Sequence, residues 1–203
     1  MEIREFEGRD YLYTSNLIKG LSLTEILRKE VPQWIAGLNF SKNMRWGSYR
    51  MRFVRPIRWL VSLWNDEILD FSLEMVQTGI QTKGHRFLSP ESKIVNSAQD
   101  YEQQLLENFV QADFNNRRNE IISQIRKLEE RHNCKIKIEE DLLEEVTNLV
   151  EWPQAMLGQF EEGFLGLPES VLVTSMAVHQ RYFPAYLSHV EGNQQLLPHF
   201  IAV

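Results

Sequence analysis

With 203 residues, 43% of them hydrophobic and 11% aromatic, the chain can bury a substantial core as one large domain or two small ones, which excludes a disordered polypeptide. Its 22 Lys and Arg against 28 Asp and Glu give a net charge of −6, which argues against a protein that coats nucleic acid with its whole surface. A single basic face on an acidic body remains open. Cys134 is the one cysteine, so no internal disulfide can form and a reducing compartment fits best. No apolar run approaches the ~18 residues of a membrane span, and Met1-Glu2-Ile3-Arg4 opens no secretory leader. The expectation is a soluble, cytoplasmic protein without a membrane partner.

Taken in order, residues 2–20 predict a hairpin turning at Glu7-Gly8-Arg9-Asp10. Its abrupt beginning, and an end on apolar Ile201-Ala202-Val203, read as a piece of a longer protein. Ser22-Leu23-Thr24-Glu25 is a capping box, predicting a helix that Pro32 breaks or kinks near Glu30 and Gly37 ends. Residues 41–63 then carry Lys42, Arg45, Arg50, Arg52, Arg55 and Arg58 with no acid among them, interleaved with Trp46, Tyr49, Phe53 and Trp59. Charges packed this closely repel, so internal carboxylates or a polyanionic partner must offset them.

Within that stretch, Tyr49, Met51 and Phe53 alternate with Arg50 and Arg52, which predicts a strand; residues 59–64 predict a buried one. Asn65-Asp66 reads as a turn. Leu69, Phe71, Leu73 and Met75 alternate with polar residues as a half-buried strand. Residues 82–88 read as a loop or short strand. Helices capped by Asn96 or Ser97 and by Asp113 follow, then a short strand at 134–138 and a third helix over 142–150 that Pro153 stops. A strand at 154–160, a helix with Pro168 at its first position, and two strands joined by Glu191-Gly192-Asn193 complete the reading.

Five blocks then stand out in one order: Lys42-x-Met44-Arg45-Trp46-Gly47; Phe53-Val54-Arg55-Pro56-Ile57-Arg58-Trp59-Leu60-Val61; Gly84-His85-Arg86-Phe87; Glu144-Glu145-Val146-Thr147-x-Leu149-Val150-Glu151-Trp152-Pro153; and Ser175-Met176-x-x-His179-Gln180-x-Tyr182-Phe183. Together they resemble the β subunit of the bacterial heterotetrameric glycyl-tRNA synthetase, from about Gly8 to the last residue. The elements above predict an α+β fold, with a mixed or antiparallel sheet from roughly 49–95 and 152–203 and residues 97–150 as a helical layer or insertion; the resemblance implies that this fold is similar to the B3/B4 domain of the phenylalanyl-tRNA synthetase β subunit. Residues 1–40 would be a linker-like hairpin and helix, and residues 41–203 the B3/B4-like domain with a helical insertion at about 97–150. It implies a non-catalytic part of glycine–tRNA ligase that contributes tRNA binding and subunit assembly, with tRNA(Gly), the α subunit and a second β subunit as partners. ATP and Mg would be used by the α subunit, no cofactor by this stretch.

On that basis Lys42, Arg45, Arg50, Arg52, Lys83 and Arg86 are candidate RNA-binding residues, since arginine forks suit phosphate and Trp46 or Tyr49 can stack on a base. Arg55 and Arg58 flank Pro56 beside an apolar run, and are candidates for structural ion pairs with Glu144, Glu145 or Glu151. His85 and His179 would form a hydrolytic dyad if an editing-like activity were present, but no nucleophile is tied to either by a motif. A pure scaffold is the other alternative. His132 and Cys134 lack a second pair of zinc ligands, and the acids at 139–145 suit a helix N-terminus better than a metal. No phosphate-binding glycine loop and no nucleophile elbow is present, so no catalytic and no metal residue is assigned.

Overall fold

The computed structural model describes residues 2–14, 16–74, 76–187 and 195–203. It is an α+β protein whose contacts gather into two compact units, Met1–Ile80 and Gln81–Val203. The first unit holds the N-terminal hairpin and helix together with the basic segment and the strands that follow it.

In the first unit, β1 (Glu2–Phe6) and β2 (Arg9–Tyr13) pair antiparallel with Phe6 opposite Arg9. The two-residue turn uses left-handed backbone at Glu7 (φ 52°) and Gly8 (φ 74°), the geometry that matches strand twist. Helix α1 (Leu23–Gly37) starts on the expected capping box: Glu25 N–H donates to Ser22 Oγ, and Ser22 N–H donates to Glu25 Oε2 at 2.7 Å. It continues through Pro32 to Gly37 rather than breaking near Glu30. A proline φ is already helical, and what the helix gives up there is the hydrogen bond to the Arg28 carbonyl. Arg28 Nη2 reaches Ile68 O, and α1 lies against the strand at 72–73.

The strands of this unit are short: β3 (Leu60–Val61), β4 (Leu63–Trp64), β5 (Glu67–Ile68), β6 (Ser72–Leu73) and β7 (Val76–Gly79). β4 and β5 form a tight hairpin with Asn65 left-handed (φ 54°), and β7 pairs with β6 antiparallel and β3 parallel. Leu69 and Leu73 are buried and Asp70 and Ser72 exposed, as the alternation required. The strand stops early, however, because the backbone turns at Glu74 (φ 42°); Met75 lies outside the described residues. The expected strand at 49–53 does not form. A single antiparallel bridge, Met44 to Phe53, takes its place.

In the second unit, β8 (Gln81–Lys83) pairs with β9 (Ser92–Ile94). Ser97 Oγ caps a 3-10 turn (Ala98–Asp100) that leads into α2 (Tyr101–Glu107), and Asp113 caps α3 (Phe114–His132). Left-handed Asn133 then sends the chain into β10 (Cys134–Ile136), α4 (Glu140–Leu149) and β11 (Met156–Gln159). A 3-10 turn (Glu162–Gly166), α5 (Glu169–Val173), a π-helical turn (Thr174–Gln180), β12 (Phe183–Leu187) and β13 (Leu196–Ala202) follow. The turn expected at 191–193 lies outside the described residues.

One four-stranded antiparallel sheet, ordered β10-β12-β13-β11, organises this unit. The sequence reading of one sheet drawn from 49–95 and 152–203 is corrected here: the strands of 49–95 form small sheets of their own. Residues 97–150 supply both the edge strand β10 and a layer of helices packed on the main sheet. Ile121 and Ile125 of α3 and Leu142, Leu143 and Val146 of α4 bury one face of it against Ile136, Phe183, Ala185 and Ile201. Met176, Tyr186 and Leu196 build a core on the other face, where Tyr182 and Phe200 stack at 4.5 Å. Burial on both faces explains why residues 183–186 read as continuous apolar sequence. Pro184 is tolerated in this central strand because the register shifts between it and Tyr186.

Candidate nucleic-acid interface

The basic segment is held by its apolar residues and by one acid. Met44 and Phe53 exchange both backbone hydrogen bonds, at 2.9 and 3.2 Å, and close residues 45–52 into a loop. Phe53 packs edge-on against Phe40 at 4.9 Å, Met51 is buried, and Trp46 and Ile57 are half-buried. Glu74, at the left-handed turn between β6 and β7, then accepts from Arg50 N–H at 2.9 Å and Met51 N–H at 3.0 Å. A residue read as the polar face of a strand is thus the anchor of this loop. Only its non-glycine positive φ marks it, and the sequence carries no signal for that.

Lys42, Arg45, Arg50, Arg52, Arg55 and Arg58 are all exposed. Among the described residues of this unit no ion pair engages any of the six; the ion pairs found there are Arg4–Glu2 and Lys29–Glu30. Glu74, which borders the same groove, is committed to backbone N–H groups. Arg50 and Arg52 are brought together on one groove of about 530 Å³, floored by Pro32, Ala36, Met51 and Leu73. Tyr49 is 37% exposed and free to stack, whereas Trp46 is partly covered.

The remaining candidates lie in the second unit. Lys83 ends β8 and Arg86 sits in the loop that follows, both exposed. Glu145 takes Arg181, whose Nε donates to its Oε1 at 2.7 Å, while Glu144 and Glu151 are exposed. Arg181 was not anticipated; its left-handed backbone (φ 62°) ends the π-helical turn and aims it at α4. The pairing of Arg55 and Arg58 with these acids would join the two units and stands as an expectation. His85 is held by the loop itself, its Nδ1 accepting from Phe87 and Leu88 N–H. It lines a cleft that His179, exposed on the π-helical turn, does not. Cys134 is buried, its thiol pushed up by burial and then by the charge of Glu129, which makes it a poor ligand or nucleophile.

The whole chain, residues 1–203, matches the family model described as "Glycyl-tRNA synthetase beta subunit". The chain belongs to the glycyl-tRNA synthetase beta subunit family. It is 43% identical over its full length to the glycine–tRNA ligase beta subunit of Shouchella clausii and 42% identical, over 99% of its length, to that of Halalkalibacterium halodurans. The protein of that name from Listeria welshimeri is 40% identical over the full length. The chain spans 28–29% of the length of these beta subunits. Within this glycyl-tRNA synthetase beta subunit family member, the five sequence blocks do different structural work. The first two form the basic segment, the third and fourth wall the His85 cleft, and the fifth reaches both cores of the sheet, with Met176 and Tyr182 on one face and Phe183 on the other.

Proposed function

We propose that this chain is the part of a glycine–tRNA ligase β subunit that docks tRNA(Gly), with Lys42, Arg45, Arg50 and Arg52 meeting phosphates. One observation carries the reading: six cations are exposed on a protein of net charge −6, with no carboxylate paired to them among the described residues of their unit. Exposed, like-charged side chains repel at a cost that phosphate relieves, and guanidinium forks match phosphate oxygens. Assembly with an α subunit, which uses ATP and Mg, and with a second β subunit belongs to the same reading, as does a cytoplasmic setting. No catalytic residue is assigned to this chain. A likeness of its α+β architecture to the B3/B4 domain of the phenylalanyl enzyme is a further part of the proposal, supported by the mixed layers alone. Filter binding of tRNA(Gly) to the full enzyme tests the docking: Arg45→Ala and Arg50→Ala each weaken binding several-fold, and unchanged affinity in both contradicts it.

A further inference from the structure

Two of the sequence blocks, 84–87 and 144–153, meet at one cleft of about 550 Å³ within the second unit, inside the ~300–1,000 Å³ range of small-ligand sites. Its walls are cross-linked by hydrogen bonds and close packing. A Cβ on Gly84 would lie 2.6 Å from both the Cβ and the carbonyl oxygen of Asn108, so only glycine lets the loop sit there, and His85 N–H donates to that carbonyl. Gln111 N–H donates to Glu151 O at 2.8 Å. Arg117 ties the floor together, with Nε on Thr147 O and Nη1 on Gln111 O and Ala112 O. Phe109 packs edge-on against Trp152 at 5.4 Å.

The groups lining this frame are chemically mixed. Because His85 Nδ1 accepts two backbone N–H groups, Nε2 carries the proton and acts as a fixed donor. Gln111 and Asn148 supply amides, Glu151 an exposed carboxylate and Trp152 an aromatic surface. Beside the cleft, the same loop holds Phe87 80% exposed, next to exposed Arg86. An aromatic ring left this open next to a cation, on a loop that hydrogen-bonds itself into shape, is the pattern of a stacking platform rather than of packing.

We propose that this cleft receives one unpaired nucleoside of an RNA strand, with Phe87 stacking on the adjoining base. Glu151 accepts from the ribose hydroxyls, the amides and His85 meet the base edge, and Arg86 meets the phosphate between the two nucleosides. The inference rests on RNA being the partner, though not on the basic loop at 42–58. The test uses the full β subunit assembled with its α subunit and a short single-stranded RNA ending in a fluorescent adenine analogue, with a blunt duplex as control. The single strand is quenched on binding and the duplex is not. Phe87→Ala and Glu151→Gln each weaken single-strand binding about tenfold and diminish the quenching. Absence of quenching, or equal affinity and quenching in both variants and the parent protein, overturns the proposal. Docking through 42–58 is read separately with Arg45→Ala and Arg50→Ala, so the two readings fail independently.

Discussion

Glu129 brings a carboxylate into a site that leaves it 4% exposed, and two groups meet it there. Ile136 N–H donates to Oε1 at 2.7 Å, and Arg126 Nη1 lies 2.6 Å from Oε2. The first bond fixes the edge strand β10 to α3; the second reaches an arginine that is 53% exposed, where solvent screens it. Glu129→Ala is therefore expected to destabilise the protein by about 2 kcal/mol, since a buried N–H loses its acceptor, and Arg126→Ala by under about 1 kcal/mol. Urea denaturation of both variants checks this, and equal losses contradict it. Tyr186, 4% exposed on β12, gives a pH dependence. Burial first, and then the charge of Glu169, push its hydroxyl up to about 12 from an ordinary value of 10.0. The unfolded chain thus releases this proton before the folded one does. The contribution of Tyr186 is fully present below pH 10 and is lost as pH rises through 12. Urea midpoints measured across that window should fall less steeply in Tyr186→Phe; identical slopes count against the assignment.

At the scale of elements, Gly158 on β11 shows how tightly the second face of the main sheet is closed. A Cβ there would stand 2.4 Å from the ring of Phe200, which is itself pinned on Tyr182. Gly158→Ala must displace that stack and is expected to cost about 1–3 kcal/mol, read as a lower thermal midpoint. An unchanged midpoint would mean the ring moves freely. Several elements were legible before any coordinates. The Ser22/Glu25 pair, Gly8, Asp113 and the apolar spacing of α3 and α4 act locally, so their meaning is carried by neighbouring residues. A break at Pro32 did not follow because a break and a continuous helix lacking one hydrogen bond share the same local sequence. The strand expected at 49–53 was misread for a different reason. Alternation of Arg with Tyr, Met and Phe specifies which side chains turn inward, but the ladder was pre-empted by Glu74, 23 residues from Met51, whose carboxylate takes the Arg50 and Met51 N–H groups. The place of β10 at the sheet edge is equally non-local, set by Cys134 opposite Leu187 and Ile136 opposite Ala185. Of the candidate interface, the identity of the cations was legible and their exposure was not, since exposure depends on where distant acids end up.

Over the whole molecule, positive charge is concentrated in a loop of an acidic protein. Each unit satisfies its own core, the first around Met51, Leu69, Leu73 and Val76 and the second around the four-stranded sheet. Among the described residues no helix is long and apolar enough to cross a membrane. A cation that contacts a phosphate releases condensed counterions, so its contribution appears in the salt dependence of binding as well as in affinity. The most direct measurement is therefore the slope of log affinity for tRNA(Gly) against log salt, for the full enzyme and for a form with Lys42, Arg45, Arg50 and Arg52 all replaced by Ala. If these side chains hold phosphates, the slope becomes shallower by roughly three, at ~0.7–0.9 per lost contact. Equal slopes and equal affinities in the two proteins would contradict tRNA docking through this loop.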